Sequence, residues 1–168
     1  MKKLICLLLL ASLLLAGCSA TKEAPETTES TTQAVSALPD FTAFDADGNP
    51  VKLSDYLGKP IVLNFWASWC GPCKSEMPAF QAAYAQLGDQ IQFVMVNVGE
   101  TTDEAKAFLA TTQYTFPVLF DANGEAAYAY QISAIPATFL IGSDGTLVDY
   151  HVGAMSQNTL LAAIEKLR

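Results

Sequence analysis

From about residue 38 to its C-terminus, the chain alternates short apolar runs with amphipathic stretches. The runs Ile61–Trp66 and Ile91–Val98 are almost continuously apolar, which is typical of strands covered on both faces of a sheet. Shorter runs joined at Asp47-Gly48 and Asp144-Gly145 predict one β-hairpin early in this region and another late. Strands and helices in this order predict an α/β fold, a central mixed β-sheet with helices on both faces.

The amphipathic stretches predict four helices. The first begins at Cys70, in CGPCKSEMPAFQAAYAQL. The second opens with Thr101 and Glu104 at the spacing of a capping box. A short helix is predicted in GEAAYAYQI, and the last helix, in SQNTLLAAIEKL, has Ser156 as its N-cap.

The N-terminal stretch MKKLICLLLLASLLLAGC contains two lysines and a 13-residue apolar run, Leu4 to Ala16. Crossing the apolar core of a bilayer takes about 20 residues, so the run predicts a signal peptide rather than a transmembrane helix. Its end, LAGC, resembles the lipobox of bacterial lipoproteins, in which the cysteine is diacylated and the chain is cut just before it. The resemblance implies a signal peptide of residues 1–17 and a lipid on Cys18. A plain secretory signal and an uncleaved anchor are the alternatives.

The next segment, residues 18–37, is rich in Thr, Ser, Glu and Ala and has no aromatic residue. It cannot bury enough apolar surface to offset its ordering entropy, so it is predicted to be a flexible tether. One globular domain, residues 38–168, follows it. The formal charge of the chain is −8, and −10 without Lys2 and Lys3. Nucleic acid would be repelled, so it is excluded as a partner.

Of the four cysteines, Cys6 lies in the predicted signal peptide and Cys18 in the lipobox, which leaves Cys70 and Cys73. A disulfide between residues three apart closes a small loop and would be a weak structural staple. A closed zinc site takes about four Cys or His ligands, and the one histidine, His151, lies far along the chain. The spacing of the pair therefore favours a redox centre, with no metal site.

The pair lies directly after a buried strand and at the start of a helix, and this setting determines its chemistry. Unpaired backbone N–H groups and the positive end of the helix dipole favour a thiolate at Cys70, which is predicted to be the attacking nucleophile. Cys73 lies one turn further along and is predicted to be the more buried thiol. It would resolve the mixed disulfide that Cys70 forms with a substrate.

The stretch NFWASWCGPCKSEMP resembles the active-site segment of thioredoxins, and residues 38–168 resemble the membrane-anchored thiol-disulfide oxidoreductases of the TlpA/ResA type. The resemblance implies a thioredoxin fold with an N-terminal β-hairpin and an inserted helix-strand unit near TTDEAKAFLATTQYTFPVLFD. It also implies a cis peptide bond before a proline that lies against the cysteine pair, with the preceding backbone free to pair with a substrate chain. The residues expected at the substrate surface are Trp69, Gly71, Pro72, Ile135 and Pro136.

One position departs from the thioredoxin pattern, because Asn64 stands where thioredoxins carry a buried aspartate six residues before the first cysteine. An amide cannot accept and release a proton at working pH, so another acid has to serve Cys73. Glu100, in NVGE, is expected at the same sheet edge as Cys70 and is predicted to transfer the proton. ResA-like proteins carry a functional glutamate in a similar motif. The alternative is that Glu100 is an ordinary loop acid, in which case the proton travels through water or through another acid such as Glu76.

Other conspicuous residues are predicted to be structural. Glu76 lies in the first turns of a helix, where an acid is favourable whatever the function. His151 is expected to be a partly exposed residue of a strand. Trp66 is expected in the core, and Tyr128 and Tyr130 are expected to be packing residues.

The resemblance implies a lipid-anchored thiol-disulfide oxidoreductase on the outer face of the bacterial cell membrane. The dipeptide Gly71-Pro72 matches thioredoxin, whose reduction potential is about −270 mV, against about −120 mV for the oxidant DsbA. This match favours a reductant of protein disulfides. The sequence has no G-x-G-x-x-G element for a nicotinamide or flavin, so no cofactor is expected. A membrane thiol carrier of the CcdA type is the electron donor that the resemblance implies.

The expected protein is a monomer that acts on protein disulfides. The family suggests apocytochrome c, during cytochrome c maturation, or an extracytoplasmic methionine sulfoxide reductase as the substrate. The alternatives are a copper chaperone of the Sco type, a peroxidase of the wider superfamily and a non-catalytic binding module. Sco proteins separate their cysteines by three residues, whereas two residues separate Cys70 from Cys73 here.

Overall fold

The structure is a computed structural model and describes residues 38–168. The predicted signal peptide, the lipidation site Cys18 and the tether lie outside the described residues. Within residues 38–168, no helix combines the length and the apolar character needed to cross a membrane.

A seven-stranded mixed sheet lies at the centre of the described region. Its strands are β1 (Thr42–Phe44), β2 (Pro50–Lys52), β3 (Ile61–Trp66), β4 (Gln92–Val98), β5 (Val118–Asp121), β6 (Ala137–Ile141) and β7 (Leu147–Val152). They are ordered β2-β1-β5-β4-β3-β6-β7. Strands β3, β4 and β5 are parallel, and the two predicted hairpins, β1-β2 and β6-β7, are antiparallel. The predicted α/β fold with a mixed sheet is confirmed.

Four α-helices are present among residues 38–168. They are α1 (Gly71–Leu87), α2 (Thr102–Leu109), α3 (Glu125–Ala129) and α4 (Gln157–Ile164). Two of the predicted N-termini are confirmed in detail. Thr101 and Glu104 form a capping box at the start of α2, and Ser156 Oγ accepts the N–H of Thr159 at the start of α4. These caps satisfy N–H groups that have no partner within the helix.

The core has two halves because alternate residues of a strand point to opposite faces of the sheet. On β3, Val62 and Trp66 belong to the half that includes side chains of α1, α2 and α4. Leu63 and Phe65 belong to the other half, which includes α3 and Phe41, the residue just before β1. Every residue of β3 is buried, as expected for a strand covered on both faces.

One edge of the sheet collects four loops. The parallel strands β3, β4 and β5 all end at this edge. Antiparallel β6 begins there, because Phe65 near the end of β3 pairs with Ala137 at the start of β6. The segments around Cys70, Glu100 and Gly124 and the loop that ends at Pro136 therefore meet at one end of the sheet.

Candidate active site

Cys70 and Cys73 form a disulfide at the N-terminus of α1. Cys70 is the N-cap residue, and its Sγ accepts the backbone N–H of Cys73 at 3.2 Å. Cys70 keeps 5% of its surface exposed and Cys73 0%, so the prediction that Cys73 is the more buried of the two is confirmed. After reduction, the same N–H would stabilise a thiolate at Cys70.

The loop before β6 lies against the disulfide. The peptide bond between Ile135 and Pro136 is cis, as the resemblance implied. Ile135 O lies 3.8 Å from Cys70 Sγ. Pro136 is buried, whereas Ile135 is half-buried and Ala134 is exposed. This backbone therefore forms an accessible wall beside the sulfur that is predicted to attack the substrate.

Trp69 immediately precedes Cys70 and its side chain is 62% exposed, whereas Trp66 is buried in the core as predicted. Trp69, Gly99 and Ile135 belong to the lining of a groove of about 550 Å³, which we call the Trp69 groove. Gly99 has a φ of +70°, and a Cβ there would lie 3.6 Å from the Trp69 ring. The backbone after β4 thus adopts a conformation suited to glycine at the point where it passes the indole. Gly71 and Pro72 are exposed at the start of α1.

The carboxylate of Glu100 holds the loop that leads into the cysteine pair. Its Oε1 accepts the backbone N–H of Ser68 at 2.6 Å and Nδ2 of Asn97 at 2.5 Å. Its Oε2 accepts the Ser68 hydroxyl. Within the described residues, the hydrogen bonds of this carboxylate all go to Ser68 and Asn97. Glu100 thus lies at the predicted sheet edge and fixes the residue that precedes Trp69 and Cys70.

Glu76 is 2% exposed, a degree of burial that a favourable position in the first turns of a helix does not predict. It lies three residues after Cys73 in α1, a spacing that puts both side chains on one face of the helix. Its Oε1 accepts Nδ2 of Asn64 and its Oε2 accepts the N–H of Met155, each at 2.9 Å. Burial raises the pKa of Glu76 to about 7, although both hydrogen bonds act to lower it. A carboxyl group that titrates near neutral pH can exchange a proton where an amide cannot.

Asn64 connects this carboxyl group to the sheet. It is fully buried on β3, and its Nδ2 also donates to Thr138 Oγ1 at 3.0 Å. Its Oδ1 has no hydrogen-bond partner. The amide donates to an ionised Glu76 as it stands and, turned over, would accept the proton of a neutral Glu76. Asn64 therefore suits both protonation states of its neighbour.

Three further residues, His151, Tyr128 and Tyr130, were predicted to have structural roles. His151 is exposed on β7. Tyr130 is buried and its ring contacts Phe41 and Phe139, as predicted. Tyr128 is 87% exposed, so the prediction that it packs against the core is wrong.

Among residues 38–168, no group of three or more His, Cys, Asp or Glu side chains is placed to hold a metal ion.

The chain is similar to known proteins in both sequence and overall structure. Residues 35–150 match the AhpC/TSA family. The chain is 36% identical over 143 residues to the thiol-disulfide oxidoreductase ResA of Geobacillus kaustophilus, covering 84% of this chain and 82% of that protein. StoA of Bacillus subtilis is 30% identical, with a TM-score of 0.66 over 76% of this chain and 98% of StoA. The pneumococcal exposed lipoprotein thioredoxin Etrx1 of Streptococcus pneumoniae is also 30% identical, with a TM-score of 0.67 over 77% of this chain and 100% of Etrx1.

Proposed function

The chain belongs to the AhpC/TSA family and, within it, to the thiol-disulfide oxidoreductases of the ResA type, and on this premise we propose that it reduces protein disulfides on the outer face of the bacterial cell membrane. The observation that carries the proposal is the environment of Cys70 Sγ. A helix N–H lies 3.2 Å from this sulfur and Ile135 O lies 3.8 Å from it. The site thus combines a stabilised sulfur with an accessible backbone against which a substrate chain can lie.

The proposed reaction has two steps. In the reduced enzyme, the Cys70 thiolate attacks one sulfur of the substrate disulfide, which forms a mixed disulfide and releases the first substrate thiolate. Cys73 then loses its proton and attacks Cys70 Sγ, which forms the Cys70–Cys73 disulfide and releases the second substrate thiolate. Each cycle moves two electrons to the substrate, whose thiolates take up two protons.

We assign the proton transfer at Cys73 to Glu76 in place of the predicted Glu100. Glu76 shares a helix face with Cys73 and has its pKa raised to about 7, so it is able to accept the thiol proton at working pH. The carboxylate of Glu100 accepts both the N–H and the hydroxyl of Ser68, two residues before Cys70. Glu100 is proposed to be a positioning residue for the loop that presents Trp69 and Cys70.

Glu100→Gln should lower kcat/KM for a peptide disulfide by about 10- to 100-fold, because a displacement of about 1 Å in a reacting group has effects of this size. In the variant, the amide NH2 group would face the groups of Ser68 and Asn97 that donate hydrogen bonds to the native carboxylate. The pH dependence of Cys70 alkylation should keep its midpoint. Ser68→Ala, which removes one of the same hydrogen bonds, should give a similar but smaller loss. A shifted midpoint in Glu100→Gln, with an unchanged profile in Ser68→Ala, would return the proton-transfer role to Glu100.

The proposals for the electron supply and the substrate rest on the family resemblance. A membrane thiol carrier of the CcdA type is proposed to reduce the Cys70–Cys73 disulfide, and no cofactor is proposed. The proposed substrates are protein disulfides, such as the cysteine pair of apocytochrome c before haem attachment or that of an extracytoplasmic methionine sulfoxide reductase. The enzyme is proposed to act as a monomer.

Lipidation of Cys18 is supported by the lipobox LAGC and by the similarity to an exposed lipoprotein. Mass spectrometry of the mature protein should find Cys18 as the first residue, carrying a diacylglyceryl group. Two acyl chains hold a protein stably at a membrane, whereas one gives marginal binding. Cys18→Ala should therefore leave the membrane fraction, while Cys6→Ala should stay in it. An unmodified Cys18 in the mature chain would remove the anchor from the proposal.

Capture of the substrate in cells tests the proposed function. Cys73→Ala should accumulate mixed disulfides through Cys70, because the resolving thiol is missing. The double variant Cys70→Ala, Cys73→Ala is the matched control and should capture nothing. Captured partners that face the cell exterior and carry a cysteine pair would support the proposal. Capture of cytoplasmic proteins alone would contradict it.

A further inference from the structure

Tyr128 is a solvent-exposed aromatic residue on helix α3. It is 87% exposed and lies on α3, whose Ala126 is buried in the core. The carboxylate of Asp121 accepts the N–H groups of Ala126 and Ala127 at 3.0 and 2.8 Å. These bonds fix the start of α3 to the end of β5. A large aromatic ring is therefore presented to solvent on a fixed support.

Tyr128 lines a second groove, which lies next to the Trp69 groove. This second groove, the Tyr128 groove, has a volume of about 500 Å³ and is also lined by Ala129 and Gln131. Ala127 and Ile132 line both grooves. The two grooves are therefore adjacent, with Ala127 and Ile132 between Trp69 in one and Tyr128 in the other.

Gln131 occupies a backbone position that favours glycine. It is the one non-glycine residue of positive φ among residues 38–168, with a φ of 51°. The N–H of Gln131 binds Tyr128 O at 3.0 Å and the N–H of Ile132 binds Ala127 O at 2.9 Å, which is the hydrogen-bond pattern of a Schellman motif at the end of a helix. Glycine is preferred at this position. In its place stands a side chain whose amide can both donate and accept hydrogen bonds.

We propose that the Tyr128 groove is a second subsite for the polypeptide substrate, occupied by an extended segment that continues from the disulfide in the Trp69 groove. Tyr128 binds an aromatic or other apolar side chain of the substrate. Exposed tyrosines in such positions supply a large contact area at low entropic cost and are common hot spots of binding. The Gln131 amide hydrogen-bonds to the substrate backbone.

The occupant is inferred from the neighbouring Trp69 groove, which is lined by Trp69, the residue before Cys70, and by Ile135, whose O lies 3.8 Å from Cys70 Sγ. A chain bound through a mixed disulfide to Cys70 has to leave the site along the surface, and the two adjacent grooves offer exposed Ala134 and Tyr128 on either side of Ala127 and Ile132. The subsite rests on the proposed function, because it selects among protein disulfides that Cys70 attacks. It adds a preference for substrates with an apolar side chain a few residues from the cysteine.

The test uses the pre-reduced full-length chain and a set of glycine-serine peptides, each with one disulfide. One tyrosine is moved along the peptide on either side of the cysteines, out to about six residues, an extended reach of about 20 Å. Single-turnover kcat/KM for each peptide is divided by the value for hydroxyethyl disulfide, which is too small to reach the Tyr128 groove. The variants are Tyr128→Ala and Gln131→Gly, and the matched control is Tyr150→Ala on the edge strand β7.

The native chain should prefer one tyrosine position by about tenfold, and Tyr128→Ala should lose that preference. Gln131→Gly should weaken the preference while unfolding at the same or a higher temperature, which separates binding from a structural effect. Tyr150→Ala should keep the native ratios. Equal ratios for all tyrosine positions, or the native preference retained in Tyr128→Ala, would overturn the subsite. A change confined to self-association would assign the surface to a second copy of the chain and overturn it too. If the native chain reduces no disulfide at all, the proposed function fails, and the subsite with it.

Discussion

Cys70→Ala is expected to abolish the reduction of protein disulfides, with a loss of at least about 10³-fold in the single-turnover rate. Cys70 is the N-cap of α1, and its Sγ already accepts the Cys73 N–H. Cys73 has no exposed surface, whereas Cys70 keeps 5% of its surface exposed. The substrate sulfur is therefore expected to react with Cys70. Cys73→Ala should therefore behave differently. It should form one equivalent of mixed disulfide at a near-native rate and then stop.

Stopped-flow mixing of each reduced variant with a peptide disulfide, followed by acid quenching and mass spectrometry, measures both steps. The mixed disulfide should appear in Cys73→Ala and not in Cys70→Ala. Alkylation of the reduced native chain near neutral pH should modify Cys70 well before Cys73. The reverse order of alkylation, or a mixed disulfide formed by Cys70→Ala, would exchange the roles of the two cysteines.

Glu76→Gln is expected to slow the resolution of the mixed disulfide by about 10²- to 10⁴-fold, the usual contribution of one general acid–base group. The substitution should be accommodated in the fold. A glutamine oxygen can accept the Met155 N–H, and the Asn64 amide can turn so that its unpaired Oδ1 accepts from the new NH2 group. In the native chain, the resolution rate should rise with pH through about 7, where Glu76 ionises. The variant should lack this inflection.

The same variant should change how stability depends on pH. The pKa of Glu76 rises from its usual 4.5 to about 7 in the fold, so the folded chain binds this proton more tightly than the unfolded chain does. Its stabilising contribution is therefore fully present below pH 4.5 and is lost as the pH rises through about 7.

Thermal unfolding of the oxidised protein measures this loss. As the pH rises from 4.5 to 7, the unfolding temperature of Glu76→Gln should increase relative to that of the native chain. Glu165→Gln, at an exposed carboxylate, is the control and should follow the native curve. Parallel curves for Glu76→Gln and the native chain would show that burial does not perturb Glu76.

The sheet could be predicted closely because long apolar runs leave few alternatives. Strand β3 has the predicted bounds, and β4 begins at Gln92, one residue later than predicted. The early and late hairpins were marked by Asp-Gly turns whose glycines, Gly48 and Gly145, have positive φ. In these segments local sequence and tertiary packing favour the same structure.

Glu76 could not be placed from local pattern. An acid in the first turns of a helix is favourable in water, and nothing within α1 distinguishes an exposed position from a buried one. Its burial depends on Asn64 in β3 and on Met155, which lies 79 residues further along the chain. Its spacing of three residues from Cys73 was the available signal, since it places both on one face of the helix.

Tyr128 was misplaced for a related reason. Helix α3 has five residues, too few for helical periodicity to identify a buried face. The orientation of α3 is set by Asp121 at the end of β5, whose carboxylate binds the first N–H groups of the helix. The acid in NVGE, Glu100, was located correctly at the sheet edge. Its hydrogen bonds to the Ser68 loop arise from a contact across 32 residues that the motif does not reveal.

The central claim, that this thiol-disulfide oxidoreductase works as a reductant, is tested most directly by its reduction potential. The full-length chain is equilibrated with defined ratios of reduced and oxidised dithiothreitol, and the fraction with the Cys70–Cys73 disulfide is measured by thiol alkylation and mass spectrometry. The Gly71-Pro72 dipeptide predicts a value close to that of thioredoxin, about −270 mV. The oxidant DsbA has a reduction potential of about −120 mV, and for two electrons the difference between the two potentials corresponds to about 7 kcal/mol. A reduction potential of about −270 mV would support a reductant of extracytoplasmic disulfides, whereas a value of about −120 mV would show that the protein oxidises its substrates instead.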